Sequence, residues 1–74
     1  MKITYDPKAD AMYILLQPEG AAVAETREVT EDVLVDLDEA NNIVGLEVLF
    51  ASRQMPLSEI LSVNIEGLLE TSHA

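Results

Sequence analysis

The chain has no cysteine and no tryptophan, one histidine, and only four basic side chains. Each shortage closes off a class of chemistry. Without cysteine there is no disulfide staple, no thiolate metal site and no thiol nucleophile. The single histidine, His73, is second from the C-terminus. A frayed terminus does not hold an imidazole against a serine, so no Ser–His relay is expected. Lys2, Lys8, Arg27 and Arg53 are scattered and form no basic stripe. Phosphate neutralisation by Lys and Arg supplies most nucleic-acid affinity, so nucleic acid and anionic membranes are not expected partners. Gly20, Gly45 and Gly67 lie too far apart to build a phosphate-cradling loop. No apolar run approaches the ~20 residues of a membrane span. Met1 to Asp6 lacks the apolar core of a signal peptide, so a cytoplasmic protein is the expectation.

What the chain does have is acid and periodic hydrophobicity. Fourteen Asp and Glu against four basic residues give a net charge of −10, and 49% of the 74 residues are hydrophobic. That balance argues against disorder and makes any charged partner a basic one. A chain this short forms one domain, residues 1–74, and buries only roughly 60% of its unfolded surface. Burial in an oligomer is the common remedy when disulfides and metals are missing.

The clearest local signal is a hairpin from Val33 to Phe50. Two β-branched, apolar runs, Val33–Asp38 and Ile43–Phe50, flank the cluster Glu39-Ala40-Asn41-Asn42. A four-residue loop pairs Asp38 with Ile43, Leu37 with Val44, Val35 with Leu46 and Val33 with Val48. It gathers the apolar residues on one face and sets Asp36 opposite Gly45 and Leu34 opposite Glu47. A three-residue loop mixes the faces. Asn41 or Asn42 suits the left-handed position of the turn.

The rest of the chain supplies further strands. Ile3–Tyr5 reads as a short strand and Asp6–Asp10 as a turn, with Pro7 presetting φ. Ala11–Leu16 is apolar on both faces, as expected of a strand covered on both sides. Ala22–Val29 is weaker, with Glu25, Arg27 and Glu28 exposed, and reads as an edge. Ala51–Met55 reads as a break. Pro56 then opens a helical segment to about residue 70, with Leu57, Ile60, Leu61, Ile65, Leu68 and Leu69 at helical spacing. Asn64 and Gly67 weaken it, so one helix or two short helical turns are both open. The predicted fold is α+β: a small antiparallel β-meander of four to five strands over about residues 2–50, with a C-terminal helix packed on one face.

Catalytic and metal chemistry finds little support. Asp36, Asp38 and Glu47 fall at positions 1, 3 and 12 of a calcium-loop count. Position 5 is Ala40, position 6 is Asn41 where glycine is needed, and the flanks are strands. Asp36 and Asp38, two apart on a strand, sit at a separation some glycosidases use, but a sheet this small offers no cleft. Tyr5 and Tyr13 are expected to pack across the first hairpin. No cofactor, metal ligand or catalytic residue is assigned.

Several of these residues form a familiar combination. Tyr5-Asp6-Pro7, Ala9-Asp10-Ala11 and Tyr13-Ile14, then Val35-Asp36-Leu37-Asp38, Val44-Gly45-Leu46-Glu47-Val48-Leu49 and Ala51-Ser52, resemble the YuzE-like family of small bacterial domains of unknown function. The resemblance covers nearly the whole chain up to Arg53. It implies a small antiparallel sheet with a helical element and no established activity. Some members sit beside small toxin-like genes, which hints at an antitoxin role. The family tends to carry Asp-Gly-Asn at the hairpin loop, where this chain has Ala40-Asn41-Asn42.

Two functional expectations follow. The first is a non-catalytic protein–protein interaction module, antitoxin-like, receiving a basic protein partner on an acidic surface that includes Asp36, Asp38, Glu39 and Glu47. The alternative is a homo-oligomeric structural domain, most simply a homodimer. Its interface uses Met12, Tyr13, Ile14 and Leu16 of the doubly apolar strand, with a small-ligand site where the subunits meet.

Overall fold

The turn at Asp6–Asp10 closes the first hairpin in the computed structural model, which describes residues 1–67. Asp6 starts that turn, its Oδ1 accepting the Lys8 and Ala9 amides at 2.9 and 3.3 Å. The flanking strands are β1 (Lys2–Asp6) and β2 (Ala11–Leu15). Three more, β3 (Glu25–Thr30), β4 (Val33–Leu37) and β5 (Ile43–Val48), follow as consecutive antiparallel neighbours. The five form one antiparallel sheet in the order β1-β2-β5-β4-β3.

The expected α+β sheet is therefore present, with its meander in two pieces that join through β2 and β5. The connection from Leu16 to Ala24 crosses the end of the sheet to the far edge. The Val44 carbonyl holds its start, accepting the Leu16 and Gln17 amides at 2.8 and 3.3 Å. The Leu37 carbonyl holds its end, accepting the Ala24 amide at 2.8 Å. Composition explains the order. β2 is apolar on both faces and takes an interior place, whereas β3, exposed at every residue and carrying Glu25, Arg27 and Glu28, takes an edge. Charged side chains suit a strand whose outer backbone must not recruit neighbours.

The β4–β5 pairing follows the parity argument for four steps: Val33 with Val48, Leu34 with Glu47, Val35 with Leu46, Asp36 with Gly45. It then departs. Leu37 pairs with Ile43 rather than Val44, and Asp38 lies outside the ladder. Val44 is the extra residue of a β-bulge, buried to 1% exposure, with its carbonyl turned to the crossing connection. That second demand on Val44, invisible to parity, lengthens the loop to residues 38–42. Asn41 takes the left-handed position, φ 67°. Asp38 closes the loop, donating its amide to the Asn42 carbonyl at 2.9 Å and accepting the Asn42 amide on Oδ1 at 2.8 Å.

Two helical turns cover part of one sheet face. The stretch expected as a break forms α1 (Ala51–Gln54), and α2 (Leu57–Ile60) follows Pro56. Ala51 and Ile60 bury against Met12, with Ile3, Tyr5, Ile14, Val48 and Met55 packed around them. Of the helical segment expected to about residue 70, as one helix or two short turns, Leu57–Ile60 is helical among the described residues. Of its apolar stripe only Ile60 is buried; Leu57, Leu61 and Ile65 are exposed, and Leu68 and Leu69 lie outside the described residues. Residues 61–66 alternate apolar and polar with period two, which favours extended backbone over helix, and the chain beyond Leu61 contains no further helix up to residue 67.

The register sorts the side chains. Ile3, Tyr5, Met12, Ile14, Leu46 and Val48 share the helix-covered side, and the helices reach only its β1–β2–β5 half. The opposite, open side carries the row Thr4–Tyr13–Glu47–Leu34–Glu28 and the row Lys2–Leu15–Gly45–Asp36–Thr26. Tyr5 and Tyr13 therefore lie on opposite faces and do not pack together; Tyr5 pairs with Met12, and Tyr13 with Thr4. No helix among the described residues is long and apolar enough to cross a membrane.

Candidate functional site

Two tyrosines each bond to an aspartate whose second oxygen takes a hydroxyl from another element. On the open side, Tyr13 lies across Gly45 and donates its hydroxyl to Asp36 Oδ2 at 2.7 Å. Thr26 donates its hydroxyl to Asp36 Oδ1 at 2.6 Å. This bridge spans β2, β5, β4 and β3. Gly45 makes it possible, because a Cβ there would overlap the Tyr13 hydroxyl and ring. Burial first, and then the Asp36 hydrogen bond, push the Tyr13 phenol up to about 12. At neutral pH it is a fixed donor and not a base.

On the covered side, Tyr5 donates to Asp10 Oδ1 at 2.7 Å, and Ser52 donates its hydroxyl to Asp10 Oδ2 at 2.6 Å. Asp10 also accepts the Ser52 amide on Oδ1 at 3.0 Å, and its carbonyl accepts the Ala51 amide at 2.8 Å. The residue before α1, Phe50, caps nothing with its side chain and sits at φ 52°. Asp10, itself at φ 52°, supplies the cap from the β1–β2 turn instead. The Ser52 hydroxyl, and then the Tyr5 hydroxyl, hold the Asp10 carboxyl below the ordinary value, while Asp10 holds the Tyr5 phenol above its own. The trio ties β1, the β1–β2 turn and α1 together.

The four acids expected at a partner surface separate into two kinds. Asp36 is engaged in the open-side bridge. Asp38 accepts Gln17 Nε2 at 3.1 Å in addition to the Asn42 amide, and these bonds, the amide's first, lower its carboxyl below the ordinary range. Glu39 is exposed at the loop and Glu47 is half-buried on the open side between Tyr13 and Leu34. Neither takes an ion pair or side-chain hydrogen bond among the described residues, where the ion pairs are Lys2–Glu19 and Arg27–Glu25, both on the surface. Of the four residues expected at an oligomer interface, Met12 is buried and Ile14 half-buried in the chain's own core, Tyr13 faces the open side, and Leu16 is exposed beyond β2.

Sequence reasoning missed Asp10, Ser52, Thr26 and Gln17 as partners. The spacing from Asp10 to Ser52 is 42 residues and from Tyr13 to Asp36 is 23. Only the hydroxyl and carboxylate types signalled them. An apolar groove of about 590 Å³ beside Ile3, Tyr5, Leu57 and Val63 brings no acid, base or nucleophile together. No group of three or more metal-ligating side chains converges among the described residues.

The model of a family described as a protein of unknown function (DUF2283) matches residues 2–52. The chain belongs to that family. The matched region holds the whole sheet and both tyrosine–aspartate bridges, and leaves out the end of α1, α2 and the segment after it. An uncharacterized protein of the archaeon Methanocaldococcus jannaschii is 40% identical over 53 residues, covering 72% of this chain and 43% of that protein. The chain thus spans less than half of that relative. No solved structure matches. At this level DUF2283 membership agrees with the expectation of a small domain family with no assigned activity.

Proposed function

We propose that this DUF2283 domain is a non-catalytic protein–protein interaction module that receives a basic protein segment on the open side of its sheet. The observation that supports this is the division of labour among the carboxylates. Asp10, Asp36 and Asp38 are occupied inside the fold, whereas Glu28, Glu39 and Glu47 take no ion pair or side-chain hydrogen bond among the described residues. By register Glu28 and Glu47 stand on either side of half-buried Leu34, with the Tyr13 ring beyond Glu47. Unpaired carboxylates around apolar side chains complement a segment that mixes Lys or Arg with hydrophobic residues. In this reading Asp36 keeps the platform flat and Asp38 fixes the loop that presents Glu39. An antitoxin-like role towards a small basic protein, YuzE-like kinship and a bacterial cytoplasmic setting belong to the same proposal.

The test starts from the protein purified from its native cells, with co-purifying small proteins identified by mass. Exposed charges chiefly speed association. Glu28→Gln with Glu47→Gln should slow binding of that partner by about tenfold at low salt and flatten its salt dependence. A bound protein without basic character, or an association rate unchanged by the double substitution, contradicts the proposal.

A further inference from the structure

Beyond α2 the chain reads Leu61-Ser62-Val63-Asn64-Ile65-Glu66, apolar and polar by turns, the pattern of a half-buried strand. Its apolar members are among the most exposed in the molecule, Leu61 at 71%, Val63 at 58% and Ile65 at 78%. Among the described residues no ladder takes up its backbone. At the same time β1 is an edge, paired with β2 on one side only. An unpaired edge is a template for strand addition.

The two fit in one register. Set antiparallel, Glu66 faces Lys2, Ile65 faces Ile3, Asn64 faces Thr4, Val63 faces Tyr5 and Ser62 faces Asp6. Ile3 and Tyr5 point to the helix side and Lys2, Thr4 and Asp6 to the open side, so every facing pair matches in polarity, and its one pair of charges is opposite in sign. A slip of one residue mixes the faces. A slip of two in either direction loses the Glu66–Lys2 pair. A parallel arrangement with Val63 facing Ile3 puts Glu66 against Asp6. The other edge, β3, offers Glu25 and Glu28 to a segment that is itself acidic. Lys2 now pairs with Glu19 at 2.6 Å, but that contact is exposed and easily exchanged.

On its own chain the segment does not take this register. Ile60 anchors it over the covered face, where Ser62, Val63 and Asn64 lie beside Ile3, Met12 and Ile14, and no backbone ladder joins it to β1. We propose that residues Leu61–Glu66 of one copy add as a sixth strand to the β1 edge of a second copy, and reciprocally, closing a strand-exchanged dimer. This uses the β1 edge and leaves the open acidic side free, so it stands or falls separately from the basic-partner reading.

The full chain, which has no cysteine of its own, allows a direct test. Thr4→Cys and Asn64→Cys proteins, purified singly, are mixed and oxidised. The mixture should give a disulfide-linked species of twice the chain mass at least tenfold more readily than either protein alone. It should also do so at least tenfold more readily than Thr4→Cys mixed with Ser62→Cys. Val63→Pro lies outside the buried cluster and removes a backbone donor; it should shift the wild-type dimer to monomer in sedimentation while leaving the β-sheet circular dichroism unchanged. A wild-type monomer at micromolar concentration overturns the proposal. So does a Thr4→Cys, Asn64→Cys double variant that closes its disulfide within one chain.

Discussion

The two sides of the sheet use the same small device for different ends. On the covered side, Tyr5 and Ser52 converge on Asp10, and the bridge joins a strand, a turn and a helix, so it fastens one layer to another. On the open side, Tyr13 and Thr26 converge on Asp36, and the bridge runs sideways through four strands with no layer above it. The covered side adds apolar burial around Met12, Ala51 and Ile60; the open side has a glycine that admits a tyrosine ring. One side is held by packing and stitched by hydrogen bonds. The other has no helix above it and is braced by the Tyr13–Asp36–Thr26 hydrogen bonds around half-buried side chains.

The largest effect expected from this contrast comes from matched truncations. Ile60→Ala, on the covered side at 5% exposure, should cost roughly 2–5 kcal/mol in denaturant unfolding. Leu34→Ala, half-buried on the open side, should cost less than half as much, because less apolar surface leaves water there. Equal costs would mean that the two sides are packed alike.

Next in size is Gly45→Ala. An alanine ordinarily strengthens a strand relative to glycine, but here its Cβ forces the Tyr13 ring away from Asp36. A loss of about 1–3 kcal/mol is expected. The same substitution in a Tyr13→Leu background should be nearly neutral. A loss that persists without the tyrosine would remove the ring as its cause.

A smaller effect is a pH dependence on the covered side. The folded pKa of Asp10 lies below its ordinary value, chiefly through the Ser52 and Tyr5 hydroxyls. Its contribution to stability is therefore present above the unfolded value of about 3.9 and is lost as pH falls through the lower folded value. Asp10→Asn should flatten the acid limb of thermal stability below about pH 4. An acid limb as steep as that of the wild type would show that Asp10 is not held in this way.

These contrasts also explain what was legible in the sequence. Alternation and parity fixed which residues of β4 and β5 face one another as far as Asp36 and Gly45, because both strands have one apolar face. They missed the Val44 bulge, because its cause lies outside the hairpin, in amides of Leu16 and Gln17 that come from another connection. The apolar residues from Leu57 to Leu69 satisfy a helical period, yet from Leu61 to Glu66 they satisfy a period of two as well, and no helix forms from Ser62 to residue 67. The bridges were illegible for a different reason. A hydroxyl and a carboxylate meet across 23 or 42 residues only once the strand order is known, and β2 beside β5 is not an order that chain sequence suggests.

The central claim is that Asp36 braces the open side through Tyr13. A double-mutant cycle between Tyr13→Phe and Asp36→Asn, read from denaturant unfolding of the two single variants and the double variant, tests it most directly. The account predicts a coupling of about 0.5–3 kcal/mol, as for residues that share one hydrogen bond. Strict additivity of the two substitutions would contradict it.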